Sequence, residues 1–389
     1  MMRGSCITTL IVHFLLLSPC YPLMMTANAS TTNGSTCTEK KVIAVMGATG
    51  KQGGAVVKAL LKRKDTFAIR AITRNPTSEK AKALLLVAKN NADTGDTDTD
   101  TDTIDIVQAD ADDVDSMTTA LDGAYGAFMV TDFWQDMDMQ HEIETTRKLQ
   151  EAAKAAGVKH VVLSTLEDTR PIINASNDVD ANDDVDTWRV LEEDKEGISP
   201  PSYVPHFDGK GEAGERFLES VVPTTLLFTC FYYDNFIDFQ MGPKQNVEGQ
   251  PPSITFPTGD KPFFMMSLSD FGEVVSYIFQ NPETTINTKI GVASSLHTGA
   301  EIAAAFSKVL NREVVFNPVK VNAYANFGFP GAADLANMFR YWTTFTPPHL
   351  NIDSTAAMLV GVGVEEQIKQ RQTVSLEKWI EANKDAFPL

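Results

Sequence analysis

Short apolar runs alternate with helical stretches from about residue 40 onward. The runs KVIAVMG, FAIRAIT, IDIVQAD, GAFMVTD and VKHVVLST are rich in β-branched residues, and each predicts a buried strand. The stretches between them, such as GGAVVKALLKRK and EIETTRKLQEAAKAAG, repeat apolar residues at helical spacing. Because strands and helices in this order make βαβ units, we expect an α/β fold with a Rossmann-type, doubly wound parallel sheet.

The alternation breaks after Thr165 and resumes in a different form. A polar, acidic segment at about 170–200 predicts a long surface excursion. Further helices are predicted in GKGEAGERFLESV, DFGEVVSYIFQNP, TGAEIAAAFSKVLN, PGAADLANMFRYW and SLEKWIEANKDAF. We expect one domain at 40–389, with a Rossmann core at about 40–235 and a smaller C-terminal α/β lobe at about 236–389. Such a lobe would cover the strand ends, where open α/β sheets bind ligands.

The first thirty residues follow another pattern. Residues 1–29 contain one Arg, an apolar run at 7–17 and the small-residue stretch ANAS, as in a secretory signal peptide. The run is shorter than the about 20 residues of a membrane-spanning helix, so we expect no span in the mature chain. This segment and the linker at 30–39 predict the secretory pathway or an ER-routed organelle. Translation from Met24 or Met25 would instead predict a cytoplasmic protein.

Charge narrows the range of partners. The net charge of −18 argues against a nucleic-acid partner, because phosphate backbones need a basic footprint. Much of this charge lies in two Asp-rich segments, at about 91–103 and 170–200. Neither segment has the spacing of a calcium loop, and the four cysteines form no CxxC pattern. We therefore predict no metal site.

The first predicted strand runs directly into the glycine loop GATGKQGG. Gly47 permits a tight turn, Gly50 lets the backbone approach a pyrophosphate, and Gly53 lets the following helix pack close to the strand. The helix N-terminus would point its free N–H groups at the phosphates. In this strand–turn–helix setting the pattern predicts a dinucleotide-binding site.

The end of the second strand predicts which dinucleotide binds. Binders of NAD usually carry an acid there, which bonds the ribose 2′-hydroxyl. This sequence has Thr73 and Arg74 instead, and an Arg can hold a 2′-phosphate with two hydrogen bonds. Ser78, Lys80 and Lys82 follow as further candidates. We therefore predict NADP(H) rather than NAD.

The motifs GATGKQGG, TRNP, HFDGKGE, PTGDKP and GFPGAADLANMFRYW together resemble the NmrA-like family, an atypical branch of the short-chain dehydrogenases. They are similar to the animal NmrA-like redox-sensor proteins, and the resemblance runs from about residue 41 to 389 outside the acidic segments. It implies an NADP-binding Rossmann fold with little or no dehydrogenase activity. Family members are thought to report the NADPH/NADP balance by changing conformation and partner.

The resemblance also implies cofactor contacts. The pyrophosphate would lie on the glycine loop, the 2′-phosphate at the second strand, the adenine after the third and the nicotinamide half after the fourth, where Lys210 and the turn Tyr232–Asn235 would close the site. The implied residues are Gly47, Ala48, Thr49, Gly50, Lys51, Gln52, Gly53, Arg74, Asn75, Ser78, Asp110, Ala111, Thr131, Asp132, Phe133, Lys210, Tyr232, Tyr233, Asp234 and Asn235. One departure is Glu144, which aligns with a cofactor-binding Lys of the animal proteins.

The stretch VPHFDGKGE leaves the chemistry open. Ordinary short-chain dehydrogenases pair a catalytic Tyr with a Lys four residues later; here His206 replaces the Tyr and Lys210 matches the Lys. Ser164 stands where their substrate-orienting Ser would lie. We expect a redox-responsive regulator with a protein partner of unknown identity, and a homodimer stays open. The alternatives are an NADPH-dependent reductase of the isoflavone-reductase type, acting on a small carbonyl or enone, and a structural subunit that binds NADP permanently.

Overall fold

A parallel sheet forms the centre of the protein. The structure is a computed structural model that describes residues 40–90, 104–176, 188, 191, 202–245, 248–349, 359–360 and 373–388. The expected signal-like segment 1–29, the linker 30–39 and the first acidic segment 91–103 lie outside the described residues. Within the described ranges, no helix combines the length and apolarity needed to cross a membrane.

From Lys41 to Thr165, strands and helices alternate in the order that the apolar pattern predicts. The strands are β1 Lys41–Val45, β2 Phe67–Thr73, β3 Ile104–Gln108, β4 Gly126–Met129, β5 His160–Thr165, β6 Thr224–Phe228, β7 Phe231–Tyr232, β8 Ser253–Phe256, β9 Phe263–Met266, β10 Thr288–Ala293, β11 Ser295–His297, β12 Val315–Pro318 and β13 Leu359–Val360. The helices are α1 Lys51–Leu61, α2 Glu79–Asn90, α3 Val114–Leu121, α4 Met139–Ala155, α5 Arg170–Ala175, α6 Pro205–Leu218, α7 Asn235–Asp238, α8 Leu268–Gln280, α9 Pro282–Thr285, α10 Gly299–Leu310, α11 Val321–Ala325, α12 Ala332–Thr344 and α13 Leu376–Ala382.

The main sheet has the order β13-β10-β6-β5-β4-β1-β2-β3. All neighbouring pairs are parallel except β10 with β13. The order reverses between β1 and β4, so the chain leaves these two strands in opposite directions and opens a crevice at their carboxyl ends. The expected α/β, doubly wound architecture is confirmed.

The seventh parallel strand was absent from the sequence-based prediction. Thr288–Ala293 pairs with β6 and extends the main sheet beyond the residue 235 boundary expected for the Rossmann core. Helix α8 also belongs to that core, because it packs on α1. The chain therefore enters the smaller lobe, returns to the main sheet and leaves it again. Contacts distant in sequence set this path, and local periodicity does not report them.

The beginning of the second acidic segment differs from the expected surface excursion. Arg170–Ala175 forms α5, and Arg170 and Ile173 are buried. The Arg170 guanidinium bonds the carboxylates of Asp168 at 2.8 Å and Glu212 at 2.7 Å. A buried guanidinium is tolerated because two carboxylates neutralise and accept from it. Most of the remaining segment lies outside the described residues.

The smaller lobe surrounds an aromatic core. A three-stranded sheet, β11-β9-β7, and the pair β12-β8 contribute strands to it. Phe231, Phe256, Phe263 and Phe339 pack with ring centroids 5.2–6.3 Å apart. Helix α10 begins at a capping box of the form T-x-x-E, in which the Thr298 and Glu301 side chains each accept from the other's backbone N–H.

Close packing of α8 on α1 generates a prediction for stability. A Cβ at Gly272 would overlap the Ala55 carbonyl of α1. We expect Gly272→Ala to lower the free energy of unfolding by about 1–3 kcal/mol, because the helices must separate. Unfolding of each variant in urea measures this free energy. The matched control is Gly54→Ala, whose Cβ would lie 3.4 Å from the Ala48 carbonyl. Equal unfolding free energies for the two variants would contradict the packing argument.

Candidate functional site

A cleft lies at the carboxyl ends of the parallel strands, beside the crevice between β1 and β4. Its volume is about 1560 Å³, and both the main sheet and the smaller lobe line it. Of the residues expected to bind cofactor, those in its wall are Gly47, Thr49, Gly50, Lys51, Gln52, Gly53, Arg74, Asn75, Ser78, Asp110, Ala111, Thr131, Asp132, Phe133, Lys210, Tyr232, Asp234 and Asn235. The fold thus brings together segments that are far apart in the sequence.

The glycine loop has the backbone that a phosphate site needs. Gly47 has φ +63°, a conformation that favours glycine. A Cβ at Gly53 would overlap the Gly47 carbonyl, so only glycine lets α1 approach the loop this closely. The first turn of α1 contains no acidic residue, and its N-terminus opens on the cleft. The loop residues therefore fit a phosphate group, which the helix dipole would stabilise.

Arg74 stands at the end of β2 and contacts the opposite side of the cleft. Its Nη1 donates to Gln135 Oε1 at 2.7 Å. The Arg74 carbonyl accepts from Gln108 Nε2 at 3.2 Å, which ties β2 to the end of β3. Of the other predicted cations, Lys80 lines the cleft, whereas Lys82 pairs with Glu79 at 2.7 Å on the exposed face of α2.

A cluster around His141 joins three segments near the expected adenine site. His141 Nε2 lies 3.1 Å from Asp112 on the loop after β3, and Nδ1 bonds Asp136 on the loop after β4. Thr145 and Lys148 of α4 also donate to Asp112, at 2.8 and 3.2 Å. The hydrogen bond to Asp136, with a further one to Asp112, raises the pKa of His141.

Lys210 is partly buried, and its polar contacts include an acid. Its Nζ donates to the Thr131 carbonyl at 3.0 Å and to Thr131 Oγ1 at 2.8 Å. It also forms an ion pair with Glu142, whose side chain is 2% exposed. Glu142 lies on the inward face of α4, and its carboxylate neutralises a cation that burial would otherwise disfavour. The Lys210 carbonyl accepts from Thr165 Oγ1 at 2.8 Å, which fixes α6 against β5.

His206 is paired with an acid from the smaller lobe. Its Nδ1 lies 2.6 Å from Asp334 Oδ1, and its backbone N–H donates to Asp334 Oδ2 at 3.2 Å. Asp334 is in the first turn of α12, where the helix dipole stabilises a negative charge. The imidazole packs against Trp134 with ring centroids 4.8 Å apart. A Cβ at Gly331 would lie 2.6 Å from Trp134, so α12 begins directly against this ring.

The part of the cleft beyond His206 is apolar. We call it the aromatic chamber and define it by six wall residues: Trp134, Tyr324, Phe327, Phe329, Met338 and Trp342. Phe327 and Phe329 are among the exposed large apolar side chains, at 48% and 38%. The cleft therefore joins a polar half, beside the glycine loop, to an aromatic half in the smaller lobe.

Comparison with known proteins defines the family. A family model described as NmrA-like family matches residues 39–183 and 190–373. The chain belongs to the NmrA-like family. The resemblance carried by the motifs is thereby confirmed.

Relatives share much of this NmrA-like chain. The NmrA-like family domain-containing oxidoreductase FrzB of a Cladobotryum species is 27% identical over 344 residues, covering 82% of this chain and 90% of that protein. NmrA, a negative transcriptional regulator solved with NAD, matches with TM-score 0.65 at 18% identity, covering 90% of this chain and 99% of that chain. The NADPH-dependent quinone oxidoreductase QOR2 of Escherichia coli, complexed with NADPH, matches with TM-score 0.59 at 19% identity, covering 88% and 99%. These two structural likenesses establish the shared fold.

Three expected site residues of the NmrA-like pattern do not line the cleft. The Ala48 side chain is in the core because its backbone N–H is held by the Ile72 carbonyl at 3.2 Å. Tyr233 is buried in the smaller lobe, and its hydroxyl lies 2.7 Å from Ser295 Oγ. Ser164 is buried within β5, where it pairs with Leu227 of β6, rather than beyond the strand end. Ser164 therefore lies outside the cleft wall, where the sequence suggested a substrate-orienting Ser.

Other site residues were absent from the sequence-based prediction. Glu142 and Asp334 contact Lys210 and His206, yet each lies on a different helix from its partner. Glu144, which aligns with a cofactor-binding Lys in the animal proteins, points away and bonds Arg147. Helical spacing does distinguish Glu142 as an acid among the apolar positions of α4, but it does not identify its partner.

Glu167 is a further buried acid, two residues beyond β5. Its side chain is fully buried, and neither carboxylate oxygen bonds any part of the chain that the structure describes. Helix α6 covers it, since a Cβ at Gly211 would lie 2.7 Å from the Glu167 backbone. Burial raises the pKa of Glu167 to about 7. The native protein therefore keeps this proton at pH values where the unfolded chain releases it.

The Glu167 carboxyl makes the free energy of unfolding depend on pH. From the ordinary pKa of 4.5 up to about 7, the unfolded chain alone loses the proton, so stability falls as pH rises. The contribution is on the order of 3 kcal/mol. We expect Glu167→Gln to lose this part of the slope, measured by urea unfolding between pH 4.5 and 7.5. Glu79→Gln, at an exposed position, should keep it. An unchanged slope in Glu167→Gln would disprove this assignment.

Proposed function

We propose that this protein is an NADP(H)-binding regulator whose cofactor changes the contacts of one loop, residues 131–138. One observation carries the proposal. Arg74 and Lys210, the cations expected at opposite ends of the cofactor, both donate hydrogen bonds to this loop. Arg74 bonds Gln135, and Lys210 bonds Thr131. Cofactor and loop would therefore compete for the same donors.

Several features support NADP(H) as the ligand. The Gly47 turn and the α1 N-terminus suit the pyrophosphate. Thr73, Arg74 and Asn75 at the end of β2 include no acid that would select a free 2′-hydroxyl. The exposed Arg74 guanidinium can instead bond the two oxygens of a 2′-phosphate. Related structures contain NAD, NADP or NADPH, which supports a nicotinamide dinucleotide in the same cleft.

Binding of the cofactor in the cleft would change the hydrogen bonds of this loop. Gln135 would lose its donor when Arg74 turns to a phosphate, and Thr131 would lose bonds if Lys210 turns to the nicotinamide ribose. The same loop contacts α12 through Trp134, whose ring approaches Gly331 at the helix start. Met137 of this loop exposes 39% of its apolar side chain. Its backbone has φ +57°, a conformation that is unfavourable for a residue other than glycine. A change in the conformation of the loop would therefore alter an exposed surface to which a protein partner can bind.

Cofactor preference depends on Arg74 in this proposal. We expect Arg74→Ala to weaken NADP binding about 10–100-fold, since charge-assisted hydrogen bonds contribute about 1.5–3 kcal/mol. Binding of NAD should change less than 2-fold (about 0.4 kcal/mol). Isothermal titration with both cofactors measures the two affinities. Arg147→Ala, on the exposed face of α4, is the matched control. Equal losses for NADP and NAD in Arg74→Ala would reject a 2′-phosphate contact.

Competition between loop and cofactor gives a second expectation. Gln135→Ala removes an acceptor for Arg74, so NADP should bind about 3–5-fold more tightly, equivalent to one hydrogen bond of about 1 kcal/mol. Hydrogen exchange of residues 131–138 should become faster in this variant and also when wild type binds NADP. Gln140→Ala, at an exposed position of α4, is the control. Unchanged or weaker NADP binding by Gln135→Ala would show that the loop does not compete with the cofactor.

A further inference from the structure

We propose that NADP(H) binding to this protein is coupled to pH through His141, whose protonated ring joins Asp112 after β3 to Asp136 of the 131–138 loop. The bridge stands on the geometry of these three residues, whereas its effect on cofactor affinity rests on the proposed function. The 131–138 loop would then respond to proton concentration as well as to the cofactor.

Each nitrogen of the His141 ring faces a carboxylate. Nδ1 bonds Asp136, and Nε2 lies 3.1 Å from both carboxylate oxygens of Asp112. A neutral imidazole has one N–H and one lone pair, so one of its nitrogens would face a carboxylate with no proton between them. Only the imidazolium donates from both nitrogens. The geometry therefore assigns a positive charge to the ring, and the hydrogen bond to Asp136, with the further one to Asp112, raises the pKa of His141.

Three elements meet at this ring and supply its charged neighbours. The loop after β3 contributes Asp112, the 131–138 loop contributes Asp136 and Asp138, and α4 contributes Glu144 and Lys148. Asp138 caps α4 by accepting the His141 backbone N–H at 3.1 Å, and Lys148 donates to Asp112 at 3.2 Å. The two carboxylates that contact the ring itself belong to different loops. The ring is therefore the link between these loops.

Loss of the ring proton would break this link on one side. A neutral ring keeps a single N–H, so it can donate to Asp112 or to Asp136 but not to both. Its other nitrogen would turn a lone pair toward a negative carboxylate. Asp112 keeps the donors Thr145 and Lys148, at 2.8 and 3.2 Å. In either case the loop after β3 and the 131–138 loop are no longer joined through His141.

The bridge acts on the cofactor site through the neighbour of Asp136. Gln135 accepts from Arg74 at 2.7 Å, and fixing Asp136 keeps Gln135 beside that guanidinium. The protonated bridge therefore favours the contact with which the cofactor would compete. NADP should bind more tightly once the bridge is open, and NADP binding should in turn weaken proton binding by His141.

The direction of the pH dependence follows from this competition. The two carboxylates raise the pKa of His141 above its ordinary 6.5 in the free protein, and an open loop removes that effect. The complex therefore binds fewer protons than the free protein between pH 6.5 and the raised pKa. Across this range the affinity for NADP should rise as pH rises.

Proton binding by His141 is measured first, without cofactor. The imidazole signals of the full chain are followed by proton NMR as pH is varied, and the signal missing from His141→Gln identifies His141. We expect its midpoint to lie above 6.5 in wild type. Asp112→Asn should lower this midpoint, because an amide leaves one carboxylate at the ring. A wild-type midpoint at or below 6.5 overturns the bridge.

NADP affinity is measured second, by isothermal titration between about pH 6 and 9. A phosphate monoester itself ionises near about pH 6, so the wild type is compared with His141→Gln, which shares that contribution. We expect the affinity of wild type to rise about 5-fold more than that of His141→Gln. His297→Gln, at a partly buried position of β11, is the matched control and should behave like wild type.

The outcomes separate the bridge from the proposed function. A lower His141 midpoint in the NADP complex than in the free protein supports the coupling. Equal pH dependence of NADP affinity in wild type and His141→Gln overturns it, even where the bridge is present. Absence of NADP binding at every pH rejects the proposed cofactor and the coupling together, while the NMR midpoint still decides the bridge.

Discussion

The ion pair between the partly buried Lys210 and the buried Glu142 is the interaction on which the site depends. An unpaired charge in this position would cost about 3–5 kcal/mol, so α6 and α4 must remain together. Thr131 joins the pair from the end of β4. The same contact therefore fixes two helices, a strand end and the start of the 131–138 loop. A cofactor that takes a hydrogen bond from Lys210 acts on all of these elements at once.

The cleft has two chemical halves because two different parts of the fold build it. The main sheet supplies the polar half through the turns that follow β1, β2, β3 and β4. The smaller lobe supplies the aromatic half, chiefly from α11 and α12. His206 and Trp134 lie at the boundary, where Asp334 of α12 bonds His206 and the two rings pack together.

Sequence patterns predicted elements whose signals are local. The run FAIRAIT forms β2 over the same residues, and the T-x-x-E box begins α10. The strand TKIGVA, β10, was not predicted because its place in the sheet depends on pairing with β6. For the same reason, the boundary expected at residue 235 separates segments that share one core. Arg170, in a segment that looked like exposed loop, is buried because Asp168 and Glu212 bind it.

The sequence by itself determined the glycine loop, the family and the presence of Arg74 where an acid would select NAD, because these depend on residues close together in the chain. Tertiary structure decided the state of the two residues in HFDGKGE. Lys210 meets Glu142 and His206 meets Asp334 across separations of 68 and 128 residues, which no local pattern reports. Burial by the completed core likewise removed Ser164, Ala48 and Tyr233 from the cleft wall. Electrostatics and packing between distant segments therefore determine which of the predicted residues can act.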